Sequence, residues 1–307
     1  MKIFSFILTI ILFNITYAQP LKHNFDISIK NINGKSNEYV YDLDSPMQIS
    51  ELEWEIKNVP VLSLGYTYNF LNNWNLNLVF EKNFSSQNSG NMKDYDWNTE
   101  KGKLNGAPYA YSNNKNRVET LENLDFNIQH IFSHTDELKS GPFIGVKYNN
   151  LKFVAKAGKQ EIYTGTGLID STKDWENKVK GVEYSQKFTT PYIGYFIGYT
   201  LDKLKVQGNI KGSTLGRATA KDTHFIGNSY SKEKYKNIKN LTLEVSAIYP
   251  ILESLDFNCT FQMDKLYKTT NSKTNMTFKD GTSIDIKDKT GTKSFTTAVS
   301  LGLTYKF

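Results

Sequence analysis

The sequence predicts an all-β protein, a ten-stranded antiparallel transmembrane β-barrel with long extracellular loops and short periplasmic turns. Three observations support this prediction. Apolar and polar residues alternate along many short segments, the last segment ends the chain on phenylalanine, and short and long connections alternate between segments. Strands that face lipid on one side and a polar lumen on the other have this two-residue period, and bacterial barrels have an even number of strands.

The first element is a predicted secretory signal peptide at residues 1–18. Lys2 precedes the apolar run Ile3–Ile15, and the small residues Thr16 and Ala18 stand just before Gln19 in the pattern of a signal-peptidase site. We therefore expect residues 19–307 to form a single barrel domain. No run of about 18 apolar residues follows, so no transmembrane helix is expected, and the mean hydropathy is −0.49.

Ten segments carry the alternation that predicts strands. The longest, Leu52–Phe70, keeps its apolar residues in one phase throughout, which predicts that a single face of the strand stays apolar. The final segment places Phe295, Val299, Leu301, Leu303, Tyr305 and Phe307 on one face. In chain order the segments are His23–Lys30, Leu52–Phe70, Trp74–Phe80, Leu124–Ile128, Leu151–Ala157, Ile193–Leu201, Leu204–Ile210, Leu241–Tyr249, Leu255–Met263 and Ser294–Phe307.

The connections between these segments predict the topology. Short connections occur at Leu71–Asn73, His134–Ser140, Asp202–Lys203 and Pro250–Ser254. Long polar connections occur near 31–50, 85–118, 160–185, 213–237 and 268–292. Bacterial barrels alternate short periplasmic turns with longer extracellular loops, so the long connections are expected on the extracellular rim.

Two pairs of titratable residues lie in or beside these long connections. Asp94 is followed two residues later by Asp96, and Asp222 is followed two residues later by His224. Side chains two apart in an extended strand point to the same face. Two such strands facing each other across a barrel mouth would set an Asp–Asp pair opposite an Asp–His pair. This combination is sufficient for hydrolysis by an activated water molecule.

His224 is the histidine best placed to act as a base. His23 lies near the mature N-terminus, His130 lies late in a strand and His134 lies in a predicted periplasmic turn. A neighbouring carboxylate raises an imidazole pKa above its reference value of about 6.5. The histidines show no metal-ligand spacing, so no metal is predicted. Taken alone, each pair also fits a solvated surface turn, and Asp-x-Asp fits calcium binding.

Four ordered blocks of the sequence resemble the omptin family of outer-membrane endoproteases, over about residues 33–307. The most specific block is Gly90-Asn91-Met92-Lys93-Asp94-Tyr95-Asp96-Trp97, which matches the family pattern Gly-Asn-Met-x-Asp-x-Asp-Trp. The other blocks are Gly34–Tyr41, Gln186–Gly194 and Asp222–His224. The resemblance implies a ten-stranded barrel in which Asp94 with Asp96 and Asp222 with His224 activate the water that attacks the scissile carbonyl.

The resemblance also implies a binding pocket for a basic side chain on the amino side of the cut bond. Glu38 matches the family acid that receives this side chain, and a carboxylate can accept a bidentate hydrogen bond from arginine. The family's second pocket acid is replaced here by Ala220, and Tyr109-Ala110-Tyr111-Ser112 replaces the stretch that holds an acid for the following residue. We therefore expect a preference for basic residues that is less strict than dibasic cleavage.

No conventional cofactor is predicted, but the resemblance implies that activity requires lipopolysaccharide. Lys187 matches one family arginine that holds this lipid, whereas the second position is Asn150 and Lys152 is the nearest basic residue in phase. The net charge of +6 suits a surface beside anionic lipid. The basic residues are scattered among acids without a recognition motif, so no nucleic-acid partner is predicted.

The sequence thus predicts a bacterial outer-membrane endopeptidase whose active site faces the extracellular side and which cleaves peptides at or near basic residues. The alternative is a catalytically silent barrel that acts as an adhesin or a pore. The combined presence of Asp94, Asp96, Asp222 and His224 favours the enzyme, because an adhesin or a pore needs no such set.

Overall fold

The computed structural model describes residues 22–71, 73–84, 87–97, 108–163, 169–174 and 179–307. The predicted signal peptide and the residue Gln19 lie outside them. The strands, in chain order, are β1 His23–Tyr41, β2 Gln48–Asn69, β3 Trp74–Asn83, β4 Gln87–Asp96, β5 Ala110–His130, β6 Phe132–Ser133, β7 Leu138–Lys156, β8 Lys159–Tyr163, β9 Ile169–Asp174, β10 Lys180–Leu201, β11 Leu204–His224, β12 Ser229–Leu252, β13 Leu255–Thr269, β14 Ser272–Thr277, β15 Ser283–Lys287 and β16 Thr290–Lys306.

These strands close into an antiparallel barrel with ten wall positions. Its order is β7, β10, β11, β12, β13, β16, β1, β2, then β3 followed along the same position by β4, then β5, which pairs with β7 and closes the ring. The hairpins β8–β9 and β14–β15 extend the wall beside β5 and β12. The predicted ten-stranded antiparallel barrel is confirmed, and each of the ten predicted segments lies in or overlaps a strand.

One end of the barrel carries the short turns. Asp202 and Lys203 join β10 to β11 there. At the same end the start of β1 meets the end of β16, because the backbone nitrogen of His23 donates to the carbonyl of Phe307. Above this short-turn end, a belt of exposed apolar side chains surrounds the wall; examples are Ile29, Phe80, Leu124, Ile144, Ile193, Ile210, Val245, Phe261 and Leu301. Such a belt is the lipid-facing surface of a barrel. No helix in the described residues is long and apolar enough to span a membrane.

The strands continue well beyond this belt at the opposite, extended end. Much of the sequence predicted as long loops is strand here: β1 runs to Tyr41, β11 runs to His224 and β12 begins at Ser229. The prediction of loops at these positions was wrong. The two-residue alternation continues in these segments, but there the apolar or small residues face the barrel interior and the polar residues face outward. Ala218 and Ala220 are buried, for example, while Thr219 and Lys221 are exposed.

A β-bulge in β2 changes which face of the strand is apolar. Ile32 pairs with Val59 and Gly34 pairs with Ile56, so one residue of β1 lies opposite two residues of β2, and Asn58 there has φ 51°. A bulge adds one residue and therefore exchanges the inward and outward faces. Leu52, Trp54 and Ile56 are buried inside the barrel, whereas the even-numbered residues after the bulge face lipid. The predicted single apolar face was therefore wrong.

Inward-facing apolar residues of the extended end meet across the lumen. The ring of Trp54 on β2 lies 5.2 Å from Phe153 on β7 and 5.9 Å from Tyr184 on β10, although neither strand is adjacent to β2 in the wall. One packed cluster includes residues from nine wall strands. We call it the apolar plug; its largest side chains are Trp54, Tyr184, Tyr235, Phe153, Ile56 and Met92.

A polar lumen lies on the short-turn side of the plug. It encloses a cavity of about 820 Å³ lined mainly by Asn, Asp, Lys, Thr and Gln residues. Ion pairs between strands, such as Lys147 with Asp264 at 2.6 Å, run inside it. The plug separates this cavity from the extended end, which does not fit the alternative of an open pore.

Candidate active site

Asp94 and Asp96 lie near the end of β4, between β2 and β5. Their direct neighbours are Leu52 and Ser50 on β2 and Ser112 and Ala110 on β5. Leu52, Ser112 and Ala110 are buried, and directly paired residues share a face. The two aspartates therefore both point into the barrel mouth, as their spacing predicts.

Asp222 and His224 lie at the end of β11, between β10 and β12. Asp222 pairs with Tyr184 and Ser231, and its Oδ2 is 2.7 Å from Nε2 of His224. The Asp222 side chain is buried and the His224 side chain is one-third exposed. The carboxylate therefore orients the imidazole ring, and Nδ1 is the ring nitrogen that remains for another partner.

The two pairs come from separate parts of the wall and meet electrostatically. The charge of His224 lowers the pKa of both Asp94 and Asp96, and the charge of Asp222 raises that of Asp94. Within the described residues, Oδ1 of Asp94 and Oδ1 of Asp222 are buried and have no hydrogen-bond partner. Buried polar atoms are nearly always paired. Two unpaired carboxylate oxygens at one cleft therefore indicate a position for water or substrate.

The environment raises the pKa of both key groups. Burial, and then the nearby Asp96 carboxylate, raise the pKa of Asp94 to about 8. Burial lowers the pKa of His224, but the carboxylates of Asp222, Asp94 and Asp96 outweigh it and raise that pKa to about 9. Burial raises the pKa of Asp96, which a hydrogen bond from Ser50 and the charge of His224 partly offset. The site therefore holds protons at neutral pH.

Glu38 lies on β1 in the same row of the wall as Asp94. It pairs with Leu52 on one side and Thr292 on the other, and its side chain is 2% exposed. Its Oε2 has no hydrogen-bond partner in the described part of the chain. Burial and the charges of Asp222, Glu233 and Asp94 hold the pKa of Glu38 well above its usual range. The predicted pocket residue thus faces the same cleft.

Glu233 is a buried acid that sequence reasoning missed. It lies on β12 directly opposite Ala220 of β11, and both residues are 1% exposed. Tyr235 and Ser231 donate hydrogen bonds to its two oxygens, and burial raises its pKa to about 7. The alternation of Ser231, Glu233 and Tyr235 with outward lysines was a usable signal. It was lost because the segment was interpreted as a loop.

Tyr109 and Tyr111 lie beside the Asp94 segment. Tyr109 is exposed and its backbone nitrogen donates to the carbonyl of Asp96 at 2.6 Å. The ring centroids of Tyr111 and Tyr95 are 5.0 Å apart, and Tyr95 stacks on Trp97 at 6.0 Å. Tyr95 lies between the inward-facing Asp94 and Asp96 and pairs with Tyr111, so this aromatic group is on the outer face of the wall and not in the cleft.

Lys187 and Lys152 lie on the outer wall, away from the cleft. Lys152 on β7 makes ion pairs with Glu119 at 2.8 Å and Glu183 at 3.2 Å. Lys187 on β10 is exposed and pairs in register with Asn150, and no carboxylate in the described residues lies within ion-pair distance of it. The two lysines therefore have different surroundings: Lys152 makes two ion pairs, whereas Lys187 makes none with the described residues and interacts only at longer range with Glu122.

The barrel is antiparallel and faces lipid, and its extended end carries paired carboxylates and an Asp–His pair. This combination is the one expected of a membrane-embedded hydrolase. The family model that matches the chain is described as the omptin family and covers residues 19–307. The chain belongs to the omptin family of outer-membrane proteases.

Characterised relatives agree with this membership. The plasminogen activator of Yersinia pestis is 25% identical over 279 residues, which are 90% of this chain and 86% of the relative. The outer membrane protease OmpP of Escherichia coli is 25% identical over 242 residues, 76% of this chain and 73% of the relative. The crystal structure of outer membrane protease OmpT from Escherichia coli superposes with a TM-score of 0.87 at 20% identity, over 93% of this chain and 97% of that chain.

Proposed function

We propose that this outer-membrane endopeptidase cleaves peptide bonds with a water molecule held between Asp94 and His224. One observation carries the proposal: a hydrogen-bonded Asp222–His224 couple lies at the same cleft as an Asp94 carboxylate oxygen that has no hydrogen-bond partner in the described residues. The two groups act on each other's pKa, so they share one cleft. A base on one side of a water and an acceptor on the other would fix the direction of its attack.

In this mechanism the water gives its proton to Nδ1 of His224 as its oxygen attacks the scissile carbonyl carbon. Asp222 holds Nε2 and stabilises the imidazolium that forms, which favours proton transfer. Asp94 accepts a hydrogen bond from the same water. The charge of Asp96 raises the pKa of Asp94, because two close carboxylates resist double ionisation. The imidazolium then returns the proton to the leaving amine.

We propose that the enzyme prefers a basic residue on the amino side of the cut bond and that Glu38 binds it. Glu38 lies in the row that contains Asp94, with an unpaired carboxylate oxygen inside the cleft. Among the described residues, the charges that act on Glu38 are those of the acids Asp222, Glu233 and Asp94. A cationic side chain would therefore replace a proton in this pocket with a charge-assisted hydrogen bond.

We propose that the extended end faces the cell exterior and that lipopolysaccharide binds to its outer wall. Lys187 belongs to a row of exposed lysines paired in register through Thr219: Lys187, Lys234, Lys273 and Lys287 on β10, β12, β14 and β15. Asn150 on β7, the register partner of Lys187, lies just beyond the apolar belt. This height suits the phosphate groups of an anionic lipid, because lysine binds phosphate as a point charge.

The test is to refold the chain with and without lipopolysaccharide, offer a peptide library and map the cut bonds by mass spectrometry. We expect cleavage enriched after Arg and Lys, and cleavage reduced by about 10²- to 10⁴-fold in an Asp94→Asn preparation made in parallel. Protease accessibility of the extended end on intact cells checks the orientation. Uniform cleavage without regard to basic residues would contradict the preference, and equal cutting by Asp94→Asn would contradict the mechanism.

A further inference from the structure

A second buried carboxylate lies beside the Glu38 pocket. Glu233 on β12 is the direct register partner of Ala220 on the adjacent strand β11, and Ala220 replaces the family's second pocket acid. Both Ala220 and Glu233 face inward and both are almost fully buried. A carboxylate borne by a neighbouring strand, directly opposite the missing one, reaches the same region of the cleft, because paired Cβ atoms lie about 5 Å apart.

The charges of the pocket residues act on one another. Glu233 raises the pKa of Glu38, and Asp222 raises the pKa of both glutamates. Tyr184 on β10 feels the charges of Glu38, Glu233 and Asp222, which places its hydroxyl among them. Within the described part of the chain, the charged groups that raise the pKa of either glutamate are all acidic. Buried carboxylates with strongly shifted pKa values cluster at functional sites.

A polar hydrogen-bonded group links opposite walls of this region. Gln186 on β10 donates to the hydroxyl of Tyr184 at 2.8 Å and to Thr292 on β16 at 2.7 Å, and it accepts from Ser36 on β1 at 3.1 Å. These bonds tie β1, the strand that carries Glu38, to β10 across the lumen. Gln186 lies in the same register row as Ala220 and Glu233, so the bonded group and Glu233 are at one level of the barrel.

We propose that Glu233 is the second acid of the specificity pocket, so that Glu38 and Glu233 together receive the basic side chain on the amino side of the cut bond. This inference rests on the proposed function of the same site. It replaces the expectation of a one-acid pocket. An arginine guanidinium has donors on several edges, so two carboxylates from different walls can bind it together.

A purely structural role for Glu233 is the competing explanation, since Tyr235 and Ser231 already donate to it. The two explanations differ in what a neutral substitution changes. Loss of a structural hydrogen bond would lower the cleavage of every peptide alike, whereas loss of a pocket charge lowers cleavage after Arg relative to cleavage after Gln. The ratio of kcat/KM for matched Arg and Gln peptides therefore separates them.

The test compares Glu233→Gln with Glu244→Gln, an identical change on the same strand. Glu244 accepts a bond from Asn209 at 3.0 Å in the lumen, far along β12 from the cleft. We expect Glu233→Gln to reduce the Arg-over-Gln ratio about ten- to a hundred-fold, the range for a charged hydrogen bond, and Glu244→Gln to leave it unchanged. Adding Ala220→Asp to Glu233→Gln should restore much of the ratio, because it returns an acid to the opposite position.

Two further measurements keep the outcomes distinct. Gel mobility before and after heating reports whether each variant is a folded barrel, and Glu233→Asp serves if Glu233→Gln fails to fold, with an intermediate ratio expected. Calorimetric binding of an Arg peptide to Asp94→Asn, with and without Glu233→Gln, tests the pocket even if no peptide is cut. Equal affinities, or an unchanged ratio in folded Glu233→Gln, would overturn the role of Glu233. Absence of cleavage by the wild type, with the affinity difference retained, would overturn the proposed mechanism alone.

Discussion

Glu38 and Asp94 lie in one row of the barrel wall, each the direct partner of Leu52 on the strand between them. Their backbones are therefore two strand spacings apart, about 9.5 Å. The proposed substrate-binding acid, Glu38, and the proposed water-binding acid, Asp94, thus lie on one sheet at a fixed separation. A side chain anchored at Glu38 would set the position of the following peptide bond relative to Asp94.

We expect His224→Ala and Asp94→Asn each to reduce hydrolysis by about 10²- to 10⁴-fold, the usual effect of losing a positioned acid or base. Both side chains line the cleft rather than the lipid-facing wall, so the barrel should still fold. Initial rates on one Arg peptide provide the measurement. His134→Ala, in the short turn where its ring contacts Ser140, is the matched control. A rate above about a tenth of wild type in either variant would contradict the assignment.

The pH dependence should reflect the raised pKa of His224. Only the neutral ring can accept a proton, and that pKa is about 9, so kcat/KM should keep rising through neutral pH into the alkaline range. Asp94, with a pKa of about 8, ionises over the same interval and the two groups titrate together. Asp222→Asn removes the charge that raises the pKa of His224, so the rising limb should move to lower pH while the rate falls. A limb that stays in place would refute this coupling.

Changing Glu38→Gln should remove most of the preference for Arg over Gln, about ten- to a hundred-fold in relative kcat/KM. The cause is the loss of an unpaired buried carboxylate oxygen that a guanidinium would bind. Matched peptides that differ at one residue provide the measurement. Glu51→Gln, on the neighbouring strand, is a control for a lost rim charge. An unaltered ratio in the Glu38 variant would show that another group binds the basic side chain.

Activity should depend on lipopolysaccharide, and Lys187→Ala should weaken the dependence more than Lys152→Ala. Lys152 is already neutralised by Glu119 and Glu183, whereas Lys187 is exposed in a row of lysines. The measurement is the lipid concentration that gives half-maximal rate. Lys203→Ala, in the turn at the opposite end, should have no effect. Full activity of the wild type in detergent alone would refute the requirement.

The bulge at Asn58 provides a prediction on stability. This residue is exposed and has φ 51°, a conformation that disfavours β-branched side chains, so Asn58→Val should destabilise the barrel by about 1–2 kcal/mol. Asn58→Gly should differ from wild type by less than about 1 kcal/mol, since glycine adopts positive φ freely. Urea unfolding in lipid vesicles measures both. Equal stability of the Val and Gly variants would show that the strained backbone is not required.

The sequence predicted the strands correctly where one face meets lipid, because alternation with a period of two is then unavoidable. It predicted that Asp94 and Asp96 share one face, as do Asp222 and His224, because each pair lies on one strand at a two-residue spacing; their catalytic role stays a prediction. It failed at Asn58, where a single extra residue exchanges the two faces without any change in the apolar pattern. Local periodicity does not determine the register between strands or the position of a bulge.

Glu233 was missed for the same reason. Its relation to Ala220 exists only through the pairing of β11 with β12, and the two residues are 13 positions apart in a segment interpreted as a loop. Charged residues in such a segment look like solvated surface. Recognising this acid required knowing that outward lysines at positions 232 and 234 make Glu233 point inward.

The apolar plug has a consequence for the traffic of peptides. Trp54, Phe153 and Tyr184 meet across the lumen directly beneath the cleft, and the polar cavity lies on their far side. With the extended end facing the cell exterior, as proposed, this plug would oppose the passage of a substrate through the lumen. Both fragments would then leave by the mouth through which the substrate entered, and hydrolysis outside the cell would leave the permeability barrier of the membrane intact.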